Sequence, residues 1–188
     1  MKRIVWTFGL ISGGILSAMM VAAMRFHDAI GFDRGLIIGY TTMVAAFLLV
    51  FFGVRAYRDN VAGGTVSFGR ALAVGSLIAL IASMCYVATW EVIYYNFMPD
   101  YLQKYQAHAL EKAKSSGASQ AEIDKQMAEM KKFEQMYQNP AVNMAMTFVE
   151  PLPVGLAFAL LSAVLLRLKR RETAAGSRIS TAGSVGFR

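Results

Sequence analysis

Two carboxylates interrupt stretches of sequence that otherwise carry no charge. Glu91 stands between the uncharged runs Ala71–Trp90 and Val92–Met98, and Glu150 is the one charge within Ala141–Leu166. Carrying an ionised side chain to the middle of a bilayer costs about 3 kcal/mol, so a carboxylate in an apolar run is a candidate for ion or substrate handling. Glu150 is followed by Pro151-Leu152-Pro153. Each proline removes a backbone donor and crowds the preceding turn, so a helix must kink or restart there. A restart leaves Glu150 at the positive end of the new helix, where its charged form is favoured. Broken helices with a carboxylate occur at ion and substrate sites in transporters. Glu91 and Glu150 are accordingly the candidate ion or ligand residues, with Pro151 and Pro153 as the helix break. The chemistry expected of them is a shared polar site for a cation or a proton. Depth favours a structural role instead. Glu91 lies about 31 Å along a helix from Arg70 and Glu150 about 25 Å from Arg167, which puts both near one surface, where Arg25 or Arg34 could pair with them.

Other motifs carry less chemistry. Gly64-Thr65-Val66-Ser67-Phe68-Gly69-Arg70-Ala71 has the spacing of a phosphate-binding loop, but arginine replaces the lysine, alanine replaces the metal-binding hydroxyl, and no strand precedes it. Ser67 reads instead as a helix cap. His27-Asp28, Asp33 and the distant His108 match no metal-site spacing and read as solvated loop polarity. Cys85 is the only cysteine, which excludes an internal disulfide and a cysteine-based cluster, and it reads as a small packing residue. No serine, histidine and acid are arranged as in a hydrolase. The expectation is a protein without catalytic residues, metal or cofactor, and not an enzyme.

The elements that hold these residues are set by hydropathy. The 188 residues are 56% hydrophobic and 16% charged, with a mean hydropathy of +0.43, whereas soluble domains carry roughly 25% charged residues. The formal charge of +7 does not read as nucleic-acid binding, because the basic residues flank apolar runs and no recognition motif accompanies them. Four runs are long enough to cross a hydrocarbon core about 30 Å thick, which needs about 20 helical residues: residues 4–24, 35–54, 71–98 and 141–166. The expected fold is all-α, a four-transmembrane-helix bundle forming a single membrane domain over residues 1–171.

Orientation follows from the flanks. Lys2 and Arg3 precede the first span, Arg55, Arg58 and Arg70 surround the second connection, and Arg167, Lys169, Arg170 and Arg171 follow the fourth span, while charges cancel between the first two spans. The positive-inside rule then places both termini in the cytoplasm and residues 99–140 outside, in a bacterial inner membrane. A second reading of the N-terminus, a cleavable signal peptide ending near Val21-Ala22-Ala23, is weakened by the length of the run and by a Gly9, Gly13, Ser17 stripe suited to helix packing.

Small residues four apart mark close approach between helices in lipid. Such rows occur at Ala71, Gly75, Ala79, Ser83, at Gly35 and Gly39, and at Gly155, Ala159, Ala163. They read as contacts within one bundle, with homo-oligomer formation as the other use. Trp6, Trp90, Tyr94 and Tyr95 fall where anchoring aromatics belong. Residues 99–140 read as an extracytoplasmic helical hairpin extending helices 3 and 4. Leu102, Tyr105, Ala109 and Ala113 form one apolar face, and Ile123, Met127, Met130 and Tyr137 the other. A turn falls at 115–118, and a Ser119/Glu122 capping box starts the second helix. The faces pack on each other or receive a partner protein. Residues 172–188, rich in Ser, Gly, Thr and Ala, read as a disordered cytoplasmic tail.

Several segments resemble a known bacterial family. These are Gly39-Tyr40-Thr41-Thr42-Met43, Val50-Phe51-Phe52-Gly53-Val54-Arg55-Ala56-Tyr57-Arg58-Asp59-Asn60, Gly64-Thr65-Val66-Ser67-Phe68-Gly69-Arg70-Ala71, Trp90-Glu91-Val92-Ile93-Tyr94-Tyr95 and Phe97-Met98-Pro99-Asp100-Tyr101. Together they resemble the domain of unknown function 4199 family, which implies a small four-helix bacterial membrane protein and brings no activity or catalytic residue. The leading functional expectation is a non-enzymatic accessory or interaction protein of the cell envelope, whose partners are the lipid bilayer and a second copy or another membrane protein. The alternative is a small ion- or proton-coupled transporter using the two carboxylates.

Overall fold

In lipid a spanning segment must satisfy its own backbone hydrogen bonds, and a long apolar run does so as a helix. A computed structural model describes residues 1–182, with side chains described for 1–26 and 30–167. The helices are α1 (Lys2–Arg25), α2 (His27–Asn60), α3 (Phe68–Asn96), α4 (Tyr101–Ser115), α5 (Gln120–Tyr137), α6 (Pro140–Val149) and α7 (Pro151–Ala182). Four segments are long and apolar enough to cross a membrane: Lys2–Arg25, Ile30–Asn60, Phe68–Asn96 and Pro140–Arg167, the last joining α6 to the first half of α7. The expected tail at 172–188 lies outside the residues whose side chains are described, and 183–188 lie outside the described residues altogether.

α3 is the central helix, with α1 along one side and α7 along another, and α2 closes the bundle against α1 and α7. The small-residue rows explain why. A Cβ added to Gly75 would stand 2.8 Å from that of Ala159, and one added to Gly155 would stand 2.7 Å from that of Ala79. The rows on α3 and α7 therefore run antiparallel against each other. Gly9 meets Ile81 and Gly13 meets Cys85 in the same manner, while the Ser17 hydroxyl donates to the Cys85 carbonyl at 3.5 Å. The α1 stripe is thus the α1–α3 seam. Ser12, fully buried, donates to the Ala46 carbonyl at 2.9 Å and ties α1 to α2. Around these seams Met43, Phe47, Val50, Val54, Val74 and Ile78 form the apolar centre.

Three features differ from expectation. Residues 25–34 are not an open loop: a turn at Phe26 leads directly into α2, which is kinked at Gly31, where φ is 71° and ψ 166°. Only glycine takes that conformation without strain. Second, α4 does not prolong α3. Residues 97–100 form a turn, and α4 folds back over the start of α2. Phe32 lies 5.8 Å, 5.5 Å and 5.2 Å, ring centre to ring centre, from Tyr101, Tyr105 and His108, and Lys112 Nζ donates to Asp33 Oδ1 at 2.7 Å. Third, of the expected anchoring aromatics, Trp6 and Tyr95 point outward, whereas Tyr94 is buried and Trp90 half-buried at the foot of the hairpin.

Within the hairpin, Leu102 and Ala113 on α4 and Ile123 and Tyr137 on α5 are buried. Gln106 Nε2 donates to Glu134 Oε2 at 3.0 Å across the two helices. Ser119 and Glu122 form the reciprocal capping box at the start of α5. Ser67 occupies the N-cap position of α3 without a side-chain cap bond.

Candidate functional site: a cavity at the hairpin end

The seams close one end of the bundle and leave the other hollow. A cavity of about 470 Å³ lies among the later half of α1, the first half of α2, the end of α3 and α6, with the feet of α4 and α5 above it. Its walls include Met19, Met20 and Met24 from α1, Gly31, Gly35 and Gly39 from α2, and Tyr86 and Trp90 from α3, with Thr147 and Glu150 from α6 and its C-cap. Ligand sites of this size, mostly apolar with a few placed polar groups, fall in the usual range of about 300–1,000 Å³.

Glu150 stands where the helix changes hands. α6 begins on Pro140, capped by the Asn139 side chain accepting from the Ala141 amide at 3.0 Å, and ends at Val149. Pro151 then opens α7. Glu150 itself keeps a helical backbone at φ −70° and ψ −58°, between the end of α6 and the start of α7. The Glu150 side chain is exposed to the cavity and accepts from the Tyr86 hydroxyl at 2.9 Å. No described lysine or arginine pairs with it, and neither Arg25 nor Arg34 reaches either carboxylate among the described ion pairs.

Beside this pair runs a directional chain of hydrogen bonds. Trp90 Nε1 donates to the Tyr137 hydroxyl at 2.7 Å, which stands 3.2 Å from Thr147 Oγ1. Thr147 donates in turn to Asn143 Oδ1 at 3.2 Å. Because Thr147 has one proton, spent on Asn143, Tyr137 must be the donor to Thr147. The chain bolts the foot of α5 to α3 and α6. Burial raises the Tyr137 hydroxyl above its ordinary value, opposed by its bonds with Thr147 and Trp90. Tyr101, packed edge-on against Trp90 with 5.0 Å between ring centres, is pushed up to about 12, first by burial and then by the Glu150 charge.

The two suspected carboxylates are treated differently. Glu150 lines the cavity and Glu91 does not. Glu91 lies beside Trp90 on α3, close enough to Tyr137 to act on it electrostatically, with Oε1 buried and without a protein hydrogen-bond partner among the described residues. Asp33, read from sequence as loop polarity, is held by Lys112, with His108 Nε2 3.7 Å away and beyond hydrogen-bond reach. The side chains of His27 and Asp28 lie outside the described residues. Sequence reasoning missed Tyr86, Thr147 and the cavity-facing role of Gly35 and Gly39. A hydroxyl four residues before Trp90 was the available signal for Tyr86, since i and i+4 share a helix face.

The described residues thus form an all-helical bundle with four segments long and apolar enough to cross a membrane, as in a polytopic helical membrane protein. It belongs to the family described as Protein of unknown function (DUF4199), whose model matches residues 7–168, from α1 to α7 and so including both the seam and the cavity. No curated protein and no solved structure matches the chain.

Proposed function

We propose that the protein is a non-enzymatic accessory or interaction protein of the bacterial cell envelope, seated in the cytoplasmic membrane with both termini inside and the α4–α5 hairpin outside. The basic flanks of the spans support the orientation. The observation that carries the interaction role is the division of labour on the hairpin. Its inner residues are spent on self-packing and on the foot of the bundle, whereas Met136 stays exposed on α5 at 52%. Apolar side chains left exposed on an element outside the spans offer a surface to another protein.

Single cysteines at Lys125 in the hairpin and at Arg58 at the other end, in a Cys85→Ala background, test the orientation. A membrane-impermeant maleimide should label the first in intact cells and the second only after lysis; the reverse pattern overturns the topology. For the interaction role, a stoichiometric partner purified in mild detergent should be lost on Met136→Lys, and its retention would remove the hairpin from the reading.

The position of Glu150 on a cavity wall favours one second reading, a small ion- or proton-coupled transporter. It differs from the shared-carboxylate form in that Glu91 contributes nothing to the cavity wall. Proton- or sodium-driven flux in proteoliposomes, abolished by Glu150→Gln, would establish it in place of the accessory role.

A further inference from the structure

The cavity wall on α2 carries two helical glycines. Gly35 and Gly39 stand four apart and so share a helix face, with Gly31 at the kink before them, and a Cβ built on any of the three would meet nothing within 4 Å. Opposite them stand methionines of α1, unbranched and polarisable side chains that adapt to irregular hydrocarbon. On the same stretch of α2, Ile37 is an exposed apolar residue off the cavity wall that belongs against lipid. The furrow therefore lies between two helices that themselves face the bilayer.

Its polar end is centred on the Glu150 carboxylate. Four donors near it are engaged within the protein: Tyr86 on Glu150, Trp90 on Tyr137, Tyr137 on Thr147 and Thr147 on Asn143. On the opposite wall the Thr42 hydroxyl is spent on the Ile38 carbonyl at 2.8 Å. The carboxylate itself keeps a second oxygen, and no described cation pairs with it. A ligand seated here must bring hydrocarbon for the furrow and a positively charged hydrogen-bond donor for Glu150.

We propose that the cavity binds one amine-headed lipid of the bilayer, of the phosphatidylethanolamine class, with its ammonium on Glu150 and an acyl chain along the glycine face of α2. The proposal rests on the seating of the chain in a bilayer and is independent of any partner of the hairpin.

Trp90 lines the cavity and provides the probe. The full chain with Trp6→Phe, leaving Trp90 as the only tryptophan, is placed in nanodiscs of phosphatidylglycerol containing a small fraction of lipid with brominated acyl chains, which quench tryptophan on contact. Brominated phosphatidylethanolamine should quench Trp90 at roughly tenfold lower mole fraction than brominated phosphatidylglycerol, the effect of one charge-assisted hydrogen bond. Glu150→Gln should erase that headgroup difference while leaving quenching itself. Gly39→Leu, or Gly35→Leu if the first does not fold, should fill the furrow and abolish quenching by both lipids. Gly14→Leu, on an exposed face where its Cβ also meets nothing, should change neither. Equal quenching by the two headgroups, or quenching indifferent to Gly39→Leu and Gly35→Leu, overturns the proposal. Reversal by free ethanolamine would assign Glu150 to a soluble amine and overturn the lipid assignment. None of these readouts depends on the maleimide labelling pattern, so the two proposals fail separately.

Discussion

Glycines spaced by four occur at both ends of this bundle and do opposite things. At the closed end Gly75 and Gly155 lie so near Ala159 and Ala79 that an added Cβ would be 2.8 Å and 2.7 Å from a neighbouring Cβ. At the hairpin end Gly35 and Gly39 face a space in which an added Cβ meets nothing. The same spacing serves contact in one place and emptiness in the other. What separates them is the opposing helix: α7 answers the α3 row with a small-residue row of its own, whereas the late half of α1 offers methionines set back from α2. Without a hydrophobic effect between helices in lipid, two surfaces must match closely to attract. A single small-residue row is only half of an interface.

The contrast breaks most directly by substitution. Gly75→Leu should cost about 3 kcal/mol or more, because it overpacks a seam whose neighbour includes backbone. Gly39→Leu should leave folding nearly unchanged. Thermal stability in detergent compares them, and equal losses would end the distinction.

A smaller effect concerns the hairpin end alone. Tyr101 is raised from 10.0 to about 12 in the folded protein. A raised value means the native state holds the proton more tightly, so the stabilisation is complete below pH 10 and disappears as pH rises toward 12. Two units at about 1.36 kcal/mol each give roughly 2.7 kcal/mol. Alkaline titration should therefore release the foot of the hairpin while the glycine seams persist, seen as protease cleavage within 101–137 before loss of helicity. Simultaneous loss would mean that the two ends are one cooperative unit.

Trp90→Phe removes the first donor in the chain through Tyr137 and Thr147 and should cost about 1 kcal/mol, with faster hydrogen exchange confined to α5 and α6. Faster exchange throughout the bundle would contradict a local role. Smallest of all is Lys112→Ala. The Lys112–Asp33 pair is solvent-exposed on both sides, and screening by water leaves such pairs little net stabilisation. A clear fall in the thermal midpoint would show the strap of α4 over α2 to be stronger than an exposed ion pair.

Much of the closed end was legible in the sequence. The charge-free runs locate the four long apolar helical segments, the second of them, 35–54, falling short of Ile30–Asn60 at both ends, and the rows at Gly9/Gly13/Ser17, Gly75/Ala79 and Gly155/Ala159 name its seams. The Ser119/Glu122 box gives the start of α5, because a capping box is satisfied within one turn of chain. The hairpin end was less legible. Gly35 and Gly39 look like a seam, and nothing local records that their opposite surface is absent. The return of α4 over α2 joins Asp33 to Lys112 across 79 positions, a pairing no local pattern encodes. The Glu91/Glu150 expectation came from charge and depth. Neither quantity carries rotation about the helix axis, which is what puts Glu150 on the cavity wall and leaves Glu91 off it.

The pairing of α3 with α7 also bears on the order of assembly. A chain folds from its N-terminal end as it is synthesised, so α3 is complete while the partner of its Gly75–Ala79 face has not yet been translated. Residues 97–150, including the whole hairpin, must be made before the fourth span can present Gly155 and Ala159. For that interval α1 and α2 can dock on α3, but the centre of the molecule stays unzipped. The pause is a window in which a membrane chaperone, or the wrong helix, could occupy the seam.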